Sequence, residues 1–105
     1  MRYHHLGIPT QVPHDGEKYL EAFDTWVTDH ETNPFGIQWM RYGERCTLPR
    51  IVREAAHVAF EVDSLEKALE GKQVIIRPNS PSEGVTVAFI LVDGAPVELL
   101  EFAER

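Results

Sequence analysis

A single cysteine, Cys46, in a chain of 105 residues excludes an intrachain disulfide and leaves no Cys pair for a zinc ribbon or a CxxC redox site. That usage fits a reducing, cytoplasmic setting. Positive charge is also scarce: ten Lys and Arg stand against seventeen Asp and Glu, for a formal charge of −7. This is the wrong sign for counterion-release binding to phosphate backbones and for polybasic attraction to anionic lipid. Nucleic acid and membrane surfaces are therefore not expected partners. No segment approaches the roughly 20 apolar residues of a membrane span. No apolar run with a small-residue cleavage site follows Met1-Arg2-Tyr3-His4-His5, so a signal peptide is not expected. The sequence has no GxxxxGK[ST] or GxGxxG loop, no GxSxG elbow and no HExxH helix. Those absences remove the common signatures of nucleotide hydrolysis, ester hydrolysis and zinc proteolysis.

What is present supports a folded domain. Leu, Ile, Val and Phe make up 29 of the 105 residues, well above the level of roughly 20% below which chains stay disordered. The length suits one domain and is too short for two that fold independently. Leu6 to Thr10 reads as a strand led by His4 and His5 and closed by Pro9 and Pro13. Tyr19, Leu20, Phe23, Trp26 and Val27 recur at helical spacing, with Glu17, Lys18, Glu21 and Asp24 between them, which predicts a helix over 17–29. Phe35 to Tyr42 has the aromatic and β-branched content of a strand, and Arg50 to Ala56 reads as an extended connector.

From His57 the pattern sharpens. His57-Val58-Ala59-Phe60-Glu61-Val62 alternates, with His57, Ala59 and Glu61 on one face. Asp63-Ser64-Leu65-Glu66 can form a capping box for a short helix that ends near Gly71. Val74 to Arg77 is a strand stopped by Pro78, residues 79–84 are a loop, and Val85 to Val92 turns through Asp93-Gly94 into Val97 to Phe102 as a hairpin. The first half starts with the same strand, helix and strand and then loses its later strands. A degenerate internal repeat, residues 1–56 and 57–105 within a single domain, describes both halves.

Both repeat-like strands carry a histidine at or near their start, and the last strand carries a carboxylate, Glu98, inside an apolar run. Two histidines and a carboxylate on three strands can meet around a divalent ion and leave positions open for substrate. If Glu98 faced outward, Leu100 and Phe102 on its face would be exposed too, so period two favours an inward Glu98 with Glu101 outside.

The segments His57-Val58-Ala59-Phe60-Glu61-Val62, Pro78-Asn79-Ser80-Pro81, Gly84-Val85, Val87-Ala88-Phe89 and Gly94-Ala95-Pro96-Val97-Glu98-Leu99-Leu100 resemble the C-terminal module of the vicinal oxygen chelate superfamily. That group includes glyoxalase I, methylmalonyl-CoA epimerase, extradiol dioxygenases and bleomycin resistance proteins. Residues 3–10 resemble its opening strand. The resemblance implies an α+β fold of paired βαβββ modules, the first one truncated, forming a curved mixed sheet with two helices outside. It implies His5, His57 and Glu98 as ligands of a divalent ion (Fe, Mn, Zn, Ni or Mg), with Gln38 as the nearest candidate for a fourth. It also implies a small-molecule ligand or substrate, handled by lyase, isomerase or dioxygenase chemistry, for which Glu44 and Glu61 are candidate bases. A non-catalytic, sequestering module is the alternative. Missing strands would leave sheet edge uncovered, which leads us to expect a homodimer.

Each pick has a plainer reading. His5 and His57 can be strand histidines bonded to backbone. His4 is expected to face solvent, as are the sequence neighbours His14-Asp15 and Asp29-His30. Trp26, Trp39, Phe23 and Phe89 read as core. Arg41, Arg50 and Arg53 read as a solvated face or ion pairs rather than an anion site, and Cys46 has no base near it in sequence to make it a nucleophile.

Overall fold

The computed structural model describes residues 1–103. The described residues are α+β, with eight strands in mixed sheet and two short α-helices. The strands are β1 (Arg2–Pro9), β2 (Lys18–Leu20), β3 (Thr25–Val27), β4 (Ile37–Tyr42), β5 (His57–Glu61), β6 (Gln73–Ser82), β7 (Val85–Val92) and β8 (Ala95–Phe102). The helices are α1 (Arg50–Glu54) and α2 (Leu65–Ala68). Two compact units divide the chain: an N-terminal unit, His5–Ala56, and a C-terminal unit made of Met1–His4 and the chain from His57 onward. Strand order is β2-β3-β4-β1 through the first and β6-β7-β8-β5 through the second. In each, the opening strand pairs in parallel with the closing one and the other pairs are antiparallel. No helix among the described residues is long and apolar enough to cross a membrane.

In the C-terminal unit, alternation in β5 and β8 puts apolar side chains on both faces of the sheet. Val62, Ala88, Ile90 and Leu99 form one buried cluster with Leu65 of α2, while Ala59, Val87 and Leu100 form another on the opposite face. Helix α2 is capped at Ser64, whose hydroxyl accepts from the Lys67 amide at 3.2 Å. Glu101 accepts from the Leu65 amide at 2.6 Å. Two orphan donors of the first turn are thus satisfied from two directions. The Asp93-Gly94 turn has positive φ at both residues, 49° and 85°, the geometry a two-residue hairpin requires.

One expectation for this unit fails. The strand predicted to stop at Pro78 continues to Ser82, so residues 79–82 are strand rather than loop. The reason is position: β6 is an edge, where a missing N–H costs little, and its register against β7 shifts between Ile76 and Asn79 and again between Asn79 and Ser82. Pro78 and Pro81 fall inside those shifts.

The N-terminal unit departs further. No α-helix forms over 17–29; strand β2, a 3-10 turn at Glu21–Phe23 and strand β3 occupy that stretch. Asp24 takes a left-handed conformation, φ 47°, in which a helix cannot continue. Its buried carboxylate accepts from the Tyr19 hydroxyl at 2.7 Å and the Arg45 amide at 2.8 Å. Thr25-Trp26-Val27 then pairs with β4, as β-branched and aromatic residues do on a pleated surface. All four strands of the repeat are therefore present; the part lost is the helix. With no strand missing, truncation leaves no sheet edge for a partner subunit to cover. Residues 50–54, expected to be extended, form the helical turn α1, with Val52 fully buried.

In place of a helix, one face of this sheet carries a ladder of polar aromatics. Arg41 donates twice to Glu17, at 3.0 and 2.7 Å, and lies 4.3 Å over the Trp26 ring, which in turn packs 4.7 Å from Tyr19. His14 stacks on Trp39 at 4.8 Å, so it is a packed residue and not a solvated one. Arg41, bonded to Glu17, and Arg50, bonded to Glu54, are ion-paired residues, and Arg53 donates to the Leu48 carbonyl.

Candidate metal centre

The parallel register of β5 and β8 sets Ala59 opposite Glu98. His57 lies two residues before Ala59 and on the same face. Its Nε2 is 3.1 Å from Glu98 Oε1. His57 is 1% exposed and the Glu98 side chain 13%. Burying such groups is costly unless they are bonded to each other or to a third partner. Phe89 stands opposite Glu98 in the β7–β8 register and meets the His57 ring edge to face at 4.9 Å. Leu100 joins the apolar cluster on this face, and Glu101 turns to α2 on the other.

The beginning of β1 is held in the same unit. Arg2 donates to Glu61 at 3.0 Å, Tyr3 meets Phe60 edge to face at 6.4 Å, and His4 lies against Phe102 at 5.5 Å instead of facing solvent. His5, the next residue, is 5% exposed. Ligand atoms of His5, His57 and Glu98 all lie within 4.8 Å of one another. Donors bound at 2.0–2.2 Å to one tetrahedral ion lie about 3.4 Å apart, so closing this group on an ion takes side-chain movement of roughly an ångström. Two imidazoles and one carboxylate also form a donor set suited to first-row divalent metals. By geometry and chemistry the residues fit a metal ion.

The N-terminal unit repeats the register. Gly7 faces Gln38 across the parallel β1–β4 pair, and His5 lies two residues before Gly7. Gln38 is thus to His5 what Glu98 is to His57. Its side-chain nitrogen donates to the Thr28 carbonyl at 3.1 Å, which leaves the amide oxygen as the atom it can offer a cation. Neither candidate base stands out. Glu61 shares the β5 face of His57 but is engaged by Arg2, and Glu44 is exposed in the turn after β4. Cys46 is buried beside the Thr25 hydroxyl, an unpromising place for a nucleophile.

No protein-family model and no curated protein matches the chain. Its fold is similar to that of a solved structure, hypothetical protein BH1468 from Bacillus halodurans C-125, with a TM-score of 0.75 over 99% of this chain and 96% of that one. At 20% identity the likeness concerns the fold alone, and the chemistry of the site rests on its own side chains. One neighbour escaped the sequence reading. His30 packs its ring 5.7 Å from that of His5, although Asp29-His30 reads in sequence as a surface pair. Twenty-five residues separate the two histidines, and only the return of the chain after β3 brings them together.

Proposed function

We propose that this chain is a short member of the vicinal oxygen chelate superfamily. In this reading it holds one divalent ion through His5, His57 and Glu98, with Gln38 as fourth donor, and acts on a small oxygen-rich substrate. The observation that carries the reading is the gathering of three donors, distant in sequence, to within 4.8 Å at the positions the repeat marks. Bound there, a divalent ion supplies Lewis-acid stabilisation to an oxyanion on a substrate that chelates it through two neighbouring oxygens, the basis of lyase, isomerase or dioxygenase chemistry. The protein's own residues do the rest. The His57–Glu98 contact orients both side chains in advance, Phe89 fixes the imidazole plane, and Ala59, Val87 and Leu100 keep water from the floor of the site.

A second reading, a module that binds a small molecule without transforming it, draws support from Glu61, whose carboxylate is occupied by Arg2 and so is poorly placed to take a proton. Elemental analysis of protein purified without chelator tests the proposal. About one ion per chain is expected. Absence of metal together with binding of apolar ligands would establish the second reading instead.

A further inference from the structure

We infer that the turn at residues 28–33 is the device that aims the N-terminal unit's two donors, and that His30 is the residue that orients His5. The inference rests on the metal-site reading above. In the C-terminal unit one side chain supports both donors: Phe89 lies edge-on to His57 and stands opposite Glu98 in register. Carrying the β3–β4 register two residues beyond Val27↔Met40 brings Asp29 opposite Gln38, the place that Phe89 holds opposite Glu98. Asp29 cannot serve as that support because its carboxylate accepts from the Glu31 amide at 2.8 Å and caps a 3-10 turn, His30–Thr32. The next residue supplies the ring, and His30 packs against His5.

The same turn fixes Gln38, through the Thr28 carbonyl. It is itself rigid. The Thr28 hydroxyl accepts from the Trp39 amide at 2.9 Å, Thr32 donates to the Asp29 carbonyl at 2.7 Å, and Asn33 bonds to both the amide and the carbonyl of Ile37. Support on a rigid element is what a ligand needs to be held within a fraction of an ångström of its working position. His30 is accordingly a positioning residue: the bulk and planarity of its ring matter, and its nitrogens are not ligands.

Cobalt(II) titration of the whole chain, followed by visible absorption, tests this. His30→Ala is expected to weaken Co(II) binding about 10- to 100-fold, the usual effect of removing support from behind a ligand, and to change the band shape as His5 loses its orientation. His30→Phe, which copies Phe89, is expected to keep wild-type affinity and spectrum. Asp29→Ala, which loosens the turn, removes the carboxylate 3.7 Å from the His30 ring nitrogen and leaves both donors in place, is expected to weaken binding in the same direction. Wild-type affinity and spectrum in His30→Ala would overturn the inference; should that variant not fold, wild-type affinity in Asp29→Ala would do so. A His30→Phe variant as weak as His30→Ala would also overturn it, by making a nitrogen of His30 the working part. Wild-type protein that takes up no Co(II) would overturn the metal site itself, and this inference with it.

Discussion

The two units share a strand order and a histidine-to-donor offset, yet they are covered in different ways. In the C-terminal unit, α2 lays Leu65 on Val62, Ala88, Ile90 and Leu99, and the stabilising term is apolar area removed from water. In the N-terminal unit, Arg41, Glu17, Trp26, Tyr19, His14 and Trp39 cover the sheet by stacking and by a two-pronged ion pair. What the units hold in common is the part that aims donors: a parallel pair with a histidine two residues before the crossing point. Register therefore sets where the candidate donors stand, and the cover can change as long as it keeps the sheet intact.

Five substitutions test that contrast. The largest effect is expected at the shared part. His57→Ala should abolish stoichiometric metal uptake in isothermal titration, while Gln38→Ala should weaken it and leave the stoichiometry unchanged. Next comes the apolar cover. Leu99→Ala should cost about 2–5 kcal/mol in urea unfolding through transfer and cavity terms, since Leu99 is 3% exposed in the cluster under α2.

The polar cover should respond to pH where the apolar one does not. Hydrogen bonding from Arg41 holds the Glu17 carboxyl below its ordinary range, and the Tyr19 hydroxyl, with the Arg45 amide behind it, does the same for Asp24. A carboxyl depressed in the folded state adds stability above its unfolded pKa, and that stability is lost as pH falls through the folded value. Thermal melts of the wild type should thus fall in Tm below the ordinary carboxylate range of about 4, and Glu17→Gln should flatten the dependence. An unchanged profile in Glu17→Gln would mean that the ladder is not what holds this face. The smallest effect is expected at Gly94→Ala. The hairpin turn holds Gly94 at φ 85° with open space around its Cα, so strain alone should cost about 1 kcal/mol.

Much of the candidate site was legible because its residues sit in strands with clear period two. His57, Ala59 and Glu61 alternate with Val58 and Phe60, and Leu100 and Phe102 mark the inward face of Glu98. The hairpin was legible from Asp93-Gly94, two residues that accept positive φ. The helix expected over 17–29 was misread because Tyr19, Phe23 and Trp26 satisfy helical spacing while Thr25-Trp26-Val27 also suits a short strand. Pairing with β4, and an Asp24 conformation fixed by Tyr19 and Arg45, decide between the two, and both lie outside the local sequence. Gln38 could be named but not placed, because its value depends on lying opposite Gly7. No residue pattern encodes that register. His30 had no signal at all beyond its residue type.

On the proposed function, His5, His57 and Glu98 share one ion. A crystal grown with Co(II), its anomalous difference map calculated at the cobalt edge, tests this most directly. A single strong peak is expected about 2.0–2.2 Å from a nitrogen of each histidine and a Glu98 oxygen, with the Gln38 amide oxygen in its coordination shell. No peak there, or a peak on other side chains while these three stay apart, would contradict it.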